Sequence, residues 1–289
     1  MSLRYATILA VLFSAGCVEA ATESTTIELT LAGADASAPF EGRDGAMITL
    51  ERADVAFGPL YLCAGYTAGE LCEEALAEWR DATVIDALDP TPTAPVAMNA
   101  LTGTAHSYMY DLGIVSLLTE DAPLVTPAAE SLGPASAVVE GRVAIDGQTI
   151  PFTVAVRVEQ TETASRGTSV VRSGESESFD HAIEPEGRTA LLVRIDPRPW
   201  LATASFRGLL EDATCAPGAD LVCSGAIEQR CAEDGTVAET RDCASLGQPC
   251  LRGLGCVDHV ELDPEGQIGR ALRTGLSAGT RPTFEVSYR

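Results

Sequence analysis

The sequence contains no lysine and a single asparagine, Asn99, among its 289 residues. Its 19 basic residues are therefore all arginines, and 42 acidic residues outnumber them, which gives a formal net charge of −23. A phosphate backbone or an anionic headgroup would be repelled by this charge, so the composition argues against nucleic-acid binding. The absence of lysine is typical of a GC-rich genome, and we assign no site from it.

The sequence also has no apolar run long enough to cross a membrane. Its clearest apolar run is a short one, residues 5–13, which follows Arg4. It is too short to span a bilayer, and it ends in the small residues Ser14, Ala15 and Gly16 before Cys17. This is the pattern of a secretory signal peptide, so we expect the chain to be exported.

The segment Ser14-Ala15-Gly16-Cys17 resembles the lipobox of bacterial lipoproteins, although Ser14 stands where leucine is most common. The resemblance implies that residues 1–16 are a lipoprotein signal peptide and that Cys17 is lipidated. It also implies that residues 17–24 form a short tether to a membrane, which we expect to be the outer membrane of the cell envelope. The alternative is cleavage after Val18-Glu19-Ala20, which would release a soluble periplasmic or secreted protein.

Eight cysteines remain when Cys17 is set aside, and an even number in an exported chain predicts disulfides formed in an oxidising compartment. We expect Cys63 to pair with Cys72 and the other six to pair among themselves. Six cysteines allow fifteen connectivities, so the pairing inside that group stays open. The six are Cys215, Cys223, Cys231, Cys243, Cys250 and Cys256.

Alternating and β-branched segments dominate the chain between the tether and these six cysteines, which predicts a mainly β domain. The clearest signal is a hairpin in residues 136–159, which turns at Asp146-Gly147. A two-residue turn there would place Val143 opposite Ile150, Gly141 opposite Phe152 and Val139 opposite Val154, so one face of the hairpin is apolar. Residues 70–79 have helical spacing and predict a short helix.

The six clustered cysteines lie within about forty residues that have no comparable apolar core, so disulfides must hold this segment together. It is similar to small cysteine-rich modules in envelope lipoproteins of Gram-negative soil bacteria, mostly of unknown function. A zinc site would need Cys-x2-Cys pairs, which are missing.

The segment after the module predicts a helix that starts at Asp263-Pro264 and a final strand at residues 283–289 with Phe284, Val286 and Tyr288 facing the core. A final strand needs a sheet to join. The fold class that we predict is therefore an antiparallel β-sandwich-like domain, residues 25–212 completed by residues 258–289. A small disulfide-rich module, residues 213–257, is inserted near the C-terminus.

Motifs for catalysis are missing as well. The nearest approach to a serine-hydrolase elbow, at residues 174–178, lacks the second glycine, and 42 acidic residues make any carboxylate pair uninformative. The three histidines, His106, His181 and His259, are far apart and show no metal-binding spacing. We assign no catalytic, cofactor-binding or metal-binding residue.

The leading functional hypothesis is a non-catalytic, membrane-anchored envelope lipoprotein that binds or scaffolds a protein or another envelope component. The alternative is a periplasmic copper-type metal-binding protein, or an envelope enzyme without a recognisable motif. The β-rich exported chain resembles copper-associated periplasmic β-sandwich proteins, and three histidines grouped in space could bind copper or zinc. A cleft that gathers His106 or His181 with carboxylates would favour the alternative.

Overall fold

The structure, a computed structural model, describes residues 22–65, 75–112, 131–158, 172–175, 179–210, 213–279 and 281–289. Cys17, Cys72 and the first part of the segment predicted to be helical lie outside these residues. Within them, no helix is both long and apolar enough to cross a membrane.

The described residues are organised mainly as β-strands. The first strands in chain order are β1 (Ser24–Gly33), β2 (Phe40–Glu41), β3 (Met47–Phe57), β4 (Leu60–Cys63), β5 (Ala75–Trp79), β6 (Thr83–Asp86) and β7 (Val96–Leu101). Those that follow are β8 (Gly103–Ala105), β9 (Ser107–Tyr110), β10 (Ala137–Ile145), β11 (Gln148–Val156), β12 (Arg172–Glu175), β13 (His181–Ile183) and β14 (Thr189–Ile195). The last are β15 (Leu221–Ser224), β16 (Ile227–Cys231), β17 (Val237–Asp242), β18 (Cys250–Leu251), β19 (Gly255–Cys256), β20 (Val260–Glu261) and β21 (Thr283–Tyr288).

Two sheets build the main β-domain. Eight strands form one sheet in the order β12-β9-β4-β5-β7-β1-β14-β21, and the other has the order β2-β3-β10-β11-β20, with β6 paired to β3. Neighbouring strands are antiparallel except at β1–β14 and β11–β20. The apolar faces of both sheets contribute to one buried cluster, which includes Leu29, Phe57, Ile150 and Leu191. The predicted fold class, a β-sandwich-like domain with an inserted disulfide-rich module, is confirmed.

The hairpin at Asp146-Gly147 has the predicted register: Val143 lies opposite Ile150, Gly141 opposite Phe152 and Val139 opposite Val154. The structure also explains why residue 141 is a glycine. A Cβ atom there would lie 2.3 Å from the carbonyl oxygen of Thr49 on β3, where the β3–β10 register shifts. The hairpin and β3 therefore approach too closely for any side chain at this position.

The helical prediction for residues 70–79 is wrong for its second half. Residues Ala75–Trp79 form β5, which pairs with β4 on one side and β7 on the other. Leu76, Ala77 and Trp79 are all buried in the resulting sheet. Backbone pairing with two neighbours and burial against both outweigh the weak helical preference of the segment.

Helices are few in the described residues, and they lie on the side of the smaller sheet. A four-residue helix, Arg198–Leu201, packs beside the C-terminal helix, Gln267–Thr274. The C-terminal helix begins after Gly266 rather than at Asp263-Pro264 as predicted. The Asp263 side chain instead accepts a hydrogen bond from the backbone N–H of Glu265 and closes a turn just before the helix.

The final strand, β21, joins β14 at one end of the eight-stranded sheet, as predicted. Phe284 and Val286 are half-buried against the main core, whereas Tyr288 is 51 % exposed. The expectation that all three side chains face the core is therefore correct for two of them. Tyr288 lies beyond the end of the core, opposite Thr189 at the start of β14.

The cysteine-rich module contains a three-stranded sheet, β15-β16-β17, and the short pair β18-β19. Its six cysteines pair among themselves as Cys215–Cys231, Cys223–Cys250 and Cys243–Cys256. The module rests on the tip of the β10–β11 hairpin. There Gln148 accepts a hydrogen bond from the backbone N–H of Cys250, and Leu251 is buried in the same apolar cluster as the β-domain.

Candidate functional site

Three aromatic rings join the two ends of the eight-stranded sheet. Phe284 lies on β21 at one end, and Tyr108 lies on β9 near the other, yet their ring centroids are 4.1 Å apart. Phe179 completes the group, with centroids 4.9 Å from Tyr108 and 5.4 Å from Phe284. We call Tyr108, Phe179 and Phe284 the aromatic seam. Because strands from opposite ends of the sheet meet here, the sheet must curl towards closure.

A carboxylate contacts a histidine next to the aromatic seam. His106 occupies the single residue between β8 and β9, and Asp180 directly precedes β13. Pairing of β13 with β8 sets His181 opposite Ala105, which carries Asp180 to the position facing His106. The Nδ1 atom of His106 and the Oδ1 atom of Asp180 are 2.5 Å apart.

His181 packs edge-on against the ring of Phe179, with centroids 5.0 Å apart, and because it directly follows Asp180 in an extended segment its side chain points to the opposite face from that of Asp180. Partial burial lowers the pKa of His181 below its ordinary value, and the charge of Asp180 opposes that shift. The neutral imidazole is therefore favoured, and this is the form that ligates metal ions. Burial also raises the pKa of Tyr108 in the seam, against a smaller opposing effect of Arg281.

The third histidine does not join this group. His259 precedes β20 in the smaller sheet, and its Nε2 atom is 2.9 Å from the hydroxyl oxygen of Thr153. The pairing of β8 with β13 therefore brings His106 into contact with Asp180, whereas the His181 side chain lies on the other face of these strands. The sequence had no signal for the contact between His106 and Asp180, which lie 74 residues apart.

The histidine cluster, His106, Asp180 and His181, does not form a closed set of ligands as the side chains stand. Within the described ranges, the group of three candidate ligand atoms that all lie within 4.8 Å of one another belongs to Glu228, Cys243 and Cys256. Two of those three are disulfide partners, so their sulfur atoms are not thiolate ligands. A metal ion at the histidine cluster would need the side chains to draw together.

A second candidate surface lies on the cysteine-rich module. A shallow polar cleft of about 330 Å³ is bordered by side chains of β16 and β17. Cross-strand pairing there sets Glu228 opposite Arg241 and Arg230 opposite Glu239, so the two signs of charge alternate. We call the three exposed residues, Arg230, Glu239 and Arg241, the charged face of the module. Its outer strand, β17, is exposed along its whole length.

Glu228 anchors this charged face from below. Its side chain is only 7 % exposed, and it accepts a hydrogen bond of 2.9 Å from the backbone N–H of Cys256. Gly255 has a φ of +74°, and a Cβ atom there would lie 2.3 Å from the Glu228 carboxylate. The carboxylate therefore fixes the β18–β19 pair beneath the sheet, and position 255 requires glycine.

The remaining sequence-derived candidates are distributed as follows. Cys63 is disulfide-bonded, and its predicted partner, Cys72, lies outside the described residues. Gly174 and Glu175 end β12, while residues 176–178 of the hydrolase-like stretch also lie outside them. Trp79, Tyr108 and Tyr110 are buried in the core.

Comparison with known proteins adds little to this picture. No family model and no curated protein matches the chain. Among solved structures, MbnP from Methylosinus trichosporium is similar with a TM-score of 0.33 and 12 % sequence identity, over 68 % of this chain and 92 % of that chain. A similarity at this level supports no argument about function, so the functional proposal rests on the residues described above.

Proposed function

We propose that this protein is a non-catalytic lipoprotein of the cell envelope, anchored through a lipidated Cys17, which binds or scaffolds another envelope component. The lipobox-like sequence before Cys17 supports the anchor. The three disulfides of the module support an extracytoplasmic location, because such bonds form and persist in oxidising compartments.

The observation that carries the binding role is the construction of the cysteine-rich module. Its disulfides and the buried Glu228 fix a small sheet, and the module holds its charged face and β17 out to solvent. A fixed surface loses little conformational entropy on association, which favours binding. An exposed outer strand can also accept a strand from a partner through backbone hydrogen bonds. A protein partner with alternating charge fits this surface.

The anchor is tested by replacing Cys17 with serine in the full-length protein expressed in a Gram-negative host. We expect the wild type in the membrane fraction and the variant in the soluble fraction, because the variant lacks the thiol that accepts the lipid. Mass spectrometry of the mature N-terminus provides the second readout. A native protein that begins at Ala21, or a Cys17→Ser variant that stays membrane-bound, would contradict the proposal.

The binding role is tested by crosslinking in intact cells through a photoreactive residue at position 240 on β17. We compare the wild-type background with the charge-reversal pair Arg230→Glu and Arg241→Glu. A single crosslinked partner that is lost with the reversed charges supports the proposal. The matched control places the same crosslinker at Leu246, which is exposed on the module but outside the charged face. Identical crosslinks from both positions would contradict a specific surface.

A second candidate function, binding of a copper-type metal ion, is favoured by the histidine cluster. The cluster contains two imidazoles and one carboxylate, a donor set that suits Cu(II) or Zn(II), and binding would require the His181 side chain to turn to the face that His106 and Asp180 share. His106 and His181 would supply nitrogen ligands, and Asp180 would either ligate or orient His106. The neutral form of His181 that burial favours is the form that can bind.

Metal analysis of protein purified from its own periplasm tests this candidate. We expect stoichiometric copper or zinc in the wild type and in the control variant His259→Gln, because His259 lies on the other sheet. The variants His106→Gln and His181→Gln should both lose the metal. A metal-free wild type, or equal loss in all three variants, would exclude a site at the histidine cluster.

A further inference from the structure

The point at which the chain enters the β-domain is fixed by hydrogen bonds. The backbone N–H of Glu23 donates to the hydroxyl of Thr102, and the backbone N–H of Thr102 donates to the carbonyl of Glu23, both at 2.9 Å. Strand pairing then begins at once, with Ser24 opposite Leu101. Along the chain, the part of the β-domain nearest to Cys17 is therefore the end at which β1 starts.

The chain between Cys17 and Glu23 limits how far this end can lie from a lipid anchor. The two residues are six positions apart, and an extended chain spans at most about 3.3–3.6 Å per residue, or roughly 20 Å in all. The headgroup layer occupies about 5–8 Å on each side of a bilayer. A protein lipidated at Cys17 must therefore hold this end of the β-domain close to the membrane surface.

Two exposed apolar side chains lie at this same end. Leu101 ends β7 and is 38 % exposed, and Tyr288 ends β21 and is 51 % exposed. Tyr288 is opposite Thr189, which is opposite Ile27, so it lies three residues farther along the strand direction than Leu101. Three residues along a strand correspond to about 10 Å, and the three strand spacings from β7 to β21 correspond to about 14 Å. A line that joins the two positions is therefore inclined by about 35°, which is within the strand tilt of roughly 35–45° in closed sheets. A single inclined plane can therefore touch both side chains.

The charges around this end decide which lipid surface fits. Glu23, Glu184 and Glu186 outnumber Arg188 and Arg289, and both arginines already contact a carboxylate: Arg188 lies 3.3 Å from Glu184, and Arg289 lies 2.6 Å from Glu28. An anionic surface would be repelled, whereas a zwitterionic one would not. Leucine and tyrosine are both suited to the boundary between headgroups and acyl chains.

We propose that the end of the β-domain formed by Glu23, Leu101 and Tyr288 rests on the zwitterionic phospholipid surface that holds the Cys17 anchor. This inference rests on the proposed lipid anchor and adds a second membrane contact to it. The contact fixes the orientation of the domain on the membrane, since a tether alone would leave it free to rotate. The membrane contact consists of the side chains of Leu101 and Tyr288 in the headgroup region.

Tryptophan quenching in vesicles tests the contact. The full-length lipidated protein carries Leu101→Trp, Tyr288→Trp or, as the matched control, Val96→Trp. Val96 is 41 % exposed and lies on the same strand as Leu101, at its opposite end. The native tryptophans, Trp79 and Trp200, are buried and give a constant background. The vesicles consist of phosphatidylcholine and phosphatidylethanolamine, and a fraction of the acyl chains is brominated near the headgroup.

We expect bromine to quench a large part of the added fluorescence of the Leu101→Trp and Tyr288→Trp variants and little of that of Val96→Trp. Flotation of the vesicles reports separately whether the anchor is present. Protein that floats but shows equal quenching at positions 96 and 101 retains the anchor and overturns the contact. Protein that does not float overturns the anchor, and the contact with it.

Discussion

The β-domain and the cysteine-rich module are stabilised by different interactions. The β-domain buries a continuous apolar cluster in which large side chains such as Phe57, Phe152 and Leu191 are almost fully excluded from solvent. The module buries a small cluster that consists of cysteines, and several of its large apolar residues are exposed, namely Val237, Leu246 and Leu254. The fold of the module therefore depends on its disulfide bonds, whereas the fold of the β-domain depends on the packing of its apolar core.

The difference follows from size and bears on where the protein can fold. A segment of about forty residues buries too small a fraction of its surface to offset its conformational entropy, so crosslinks must constrain its unfolded state. The β-domain has enough residues to avoid that need. The disulfides of the module, like that of Cys63 in the β-domain, form in an oxidising compartment, and this agrees with an exported protein.

The two regions are not independent, because the side chain of Leu251 in the module packs into the apolar core of the β-domain. It is fully buried and belongs to the apolar cluster of the β-domain, although its neighbour Cys250 is crosslinked inside the module. The backbone N–H of Arg252 also donates to the carbonyl of Leu209, which precedes the module. The module is thus docked by Leu251, by the partly buried Val257 and by a few hydrogen bonds, and the predictions below separate this docking from the two kinds of stabilisation.

The largest effect is expected in the packed core. Phe152 is fully buried and packs against Phe206 with ring centroids 5.2 Å apart. Phe152→Ala should destabilise the β-domain by about 3–5 kcal/mol, since it leaves a cavity as well as removing apolar contacts. Chemical denaturation followed by tryptophan fluorescence measures the change, because both tryptophans lie outside the module.

Leu254→Ala is the matched control for Phe152→Ala in the other region. Leu254 is 53 % exposed on the module, so its truncation should change stability by no more than about 0.5 kcal/mol. If the two substitutions destabilise the protein equally, the contrast between a packed region and a crosslinked region is wrong.

The next effect is expected from a disulfide. Replacing Cys223 and Cys250 together with alanine removes a bond that spans 27 residues, and it should destabilise the module by about 2–4 kcal/mol. We expect trypsin to cleave after Arg230 and Arg241 at lower denaturant concentrations than in the wild type. The tryptophan transition, which reports on the β-domain, should move much less.

The wild type treated with a thiol reductant is the control for the alanine pair, since it loses the same crosslink without a change of sequence. Greater protease sensitivity of the module in both samples supports local stabilisation by the disulfides. A tryptophan transition that shifts as far as the protease sensitivity would show that docking through Leu251 makes the two regions a single cooperative unit.

A smaller effect is expected at the aromatic seam. Phe284 is half-buried on the final strand, and its ring contacts those of Tyr108 and Phe179. Phe284→Ala should cost about 1–2 kcal/mol, which combines partial apolar burial with the loss of aromatic contacts. The control is Tyr288→Ala on the same strand, where the exposed ring should contribute little in the absence of a membrane. Equal losses measured by thermal unfolding in the unlipidated Cys17→Ser background, without detergent, would mean that the seam does not hold the strand.

The features that the sequence predicted well are local. The hairpin at Asp146-Gly147 needs only a turn of known type and alternating apolar residues, so its pairing of Val143 with Ile150 could be derived in full. The final strand was likewise recognised from alternation alone. Its face was partly misjudged, because alternation cannot show that the core ends before Tyr288.

The features that the sequence did not predict depend on distant contacts. β5 was expected to be helical, since its partners β4 and β7 could not be identified from the segment itself. The contact between His106 and Asp180 requires the pairing of β8 with β13, which nothing in either short strand specifies. The disulfide connectivity stayed open for the same reason, because spacing alone does not choose among fifteen alternatives.

The smallest effect concerns pH, and it should arise in the β-domain, because residues 213–257 contain no histidine. Partial burial lowers the pKa of His181 in the folded state below the ordinary value of 6.5. The folded protein therefore binds fewer protons there than the unfolded chain, so the contribution to stability is present above pH 6.5 and is lost as the pH falls through the lower folded pKa. The ring is only half-buried, so we expect a loss below about 1 kcal/mol after solvent screening. Denaturation of the wild type and of His181→Gln at pH 7 and pH 5 measures this loss of stability, and NMR titration gives the pKa of His181 directly.

Asp180→Asn should lower the pKa of His181 further, because the Asp180 carboxylate opposes the effect of burial. A His181 pKa above 6.5 in the wild type would contradict this account.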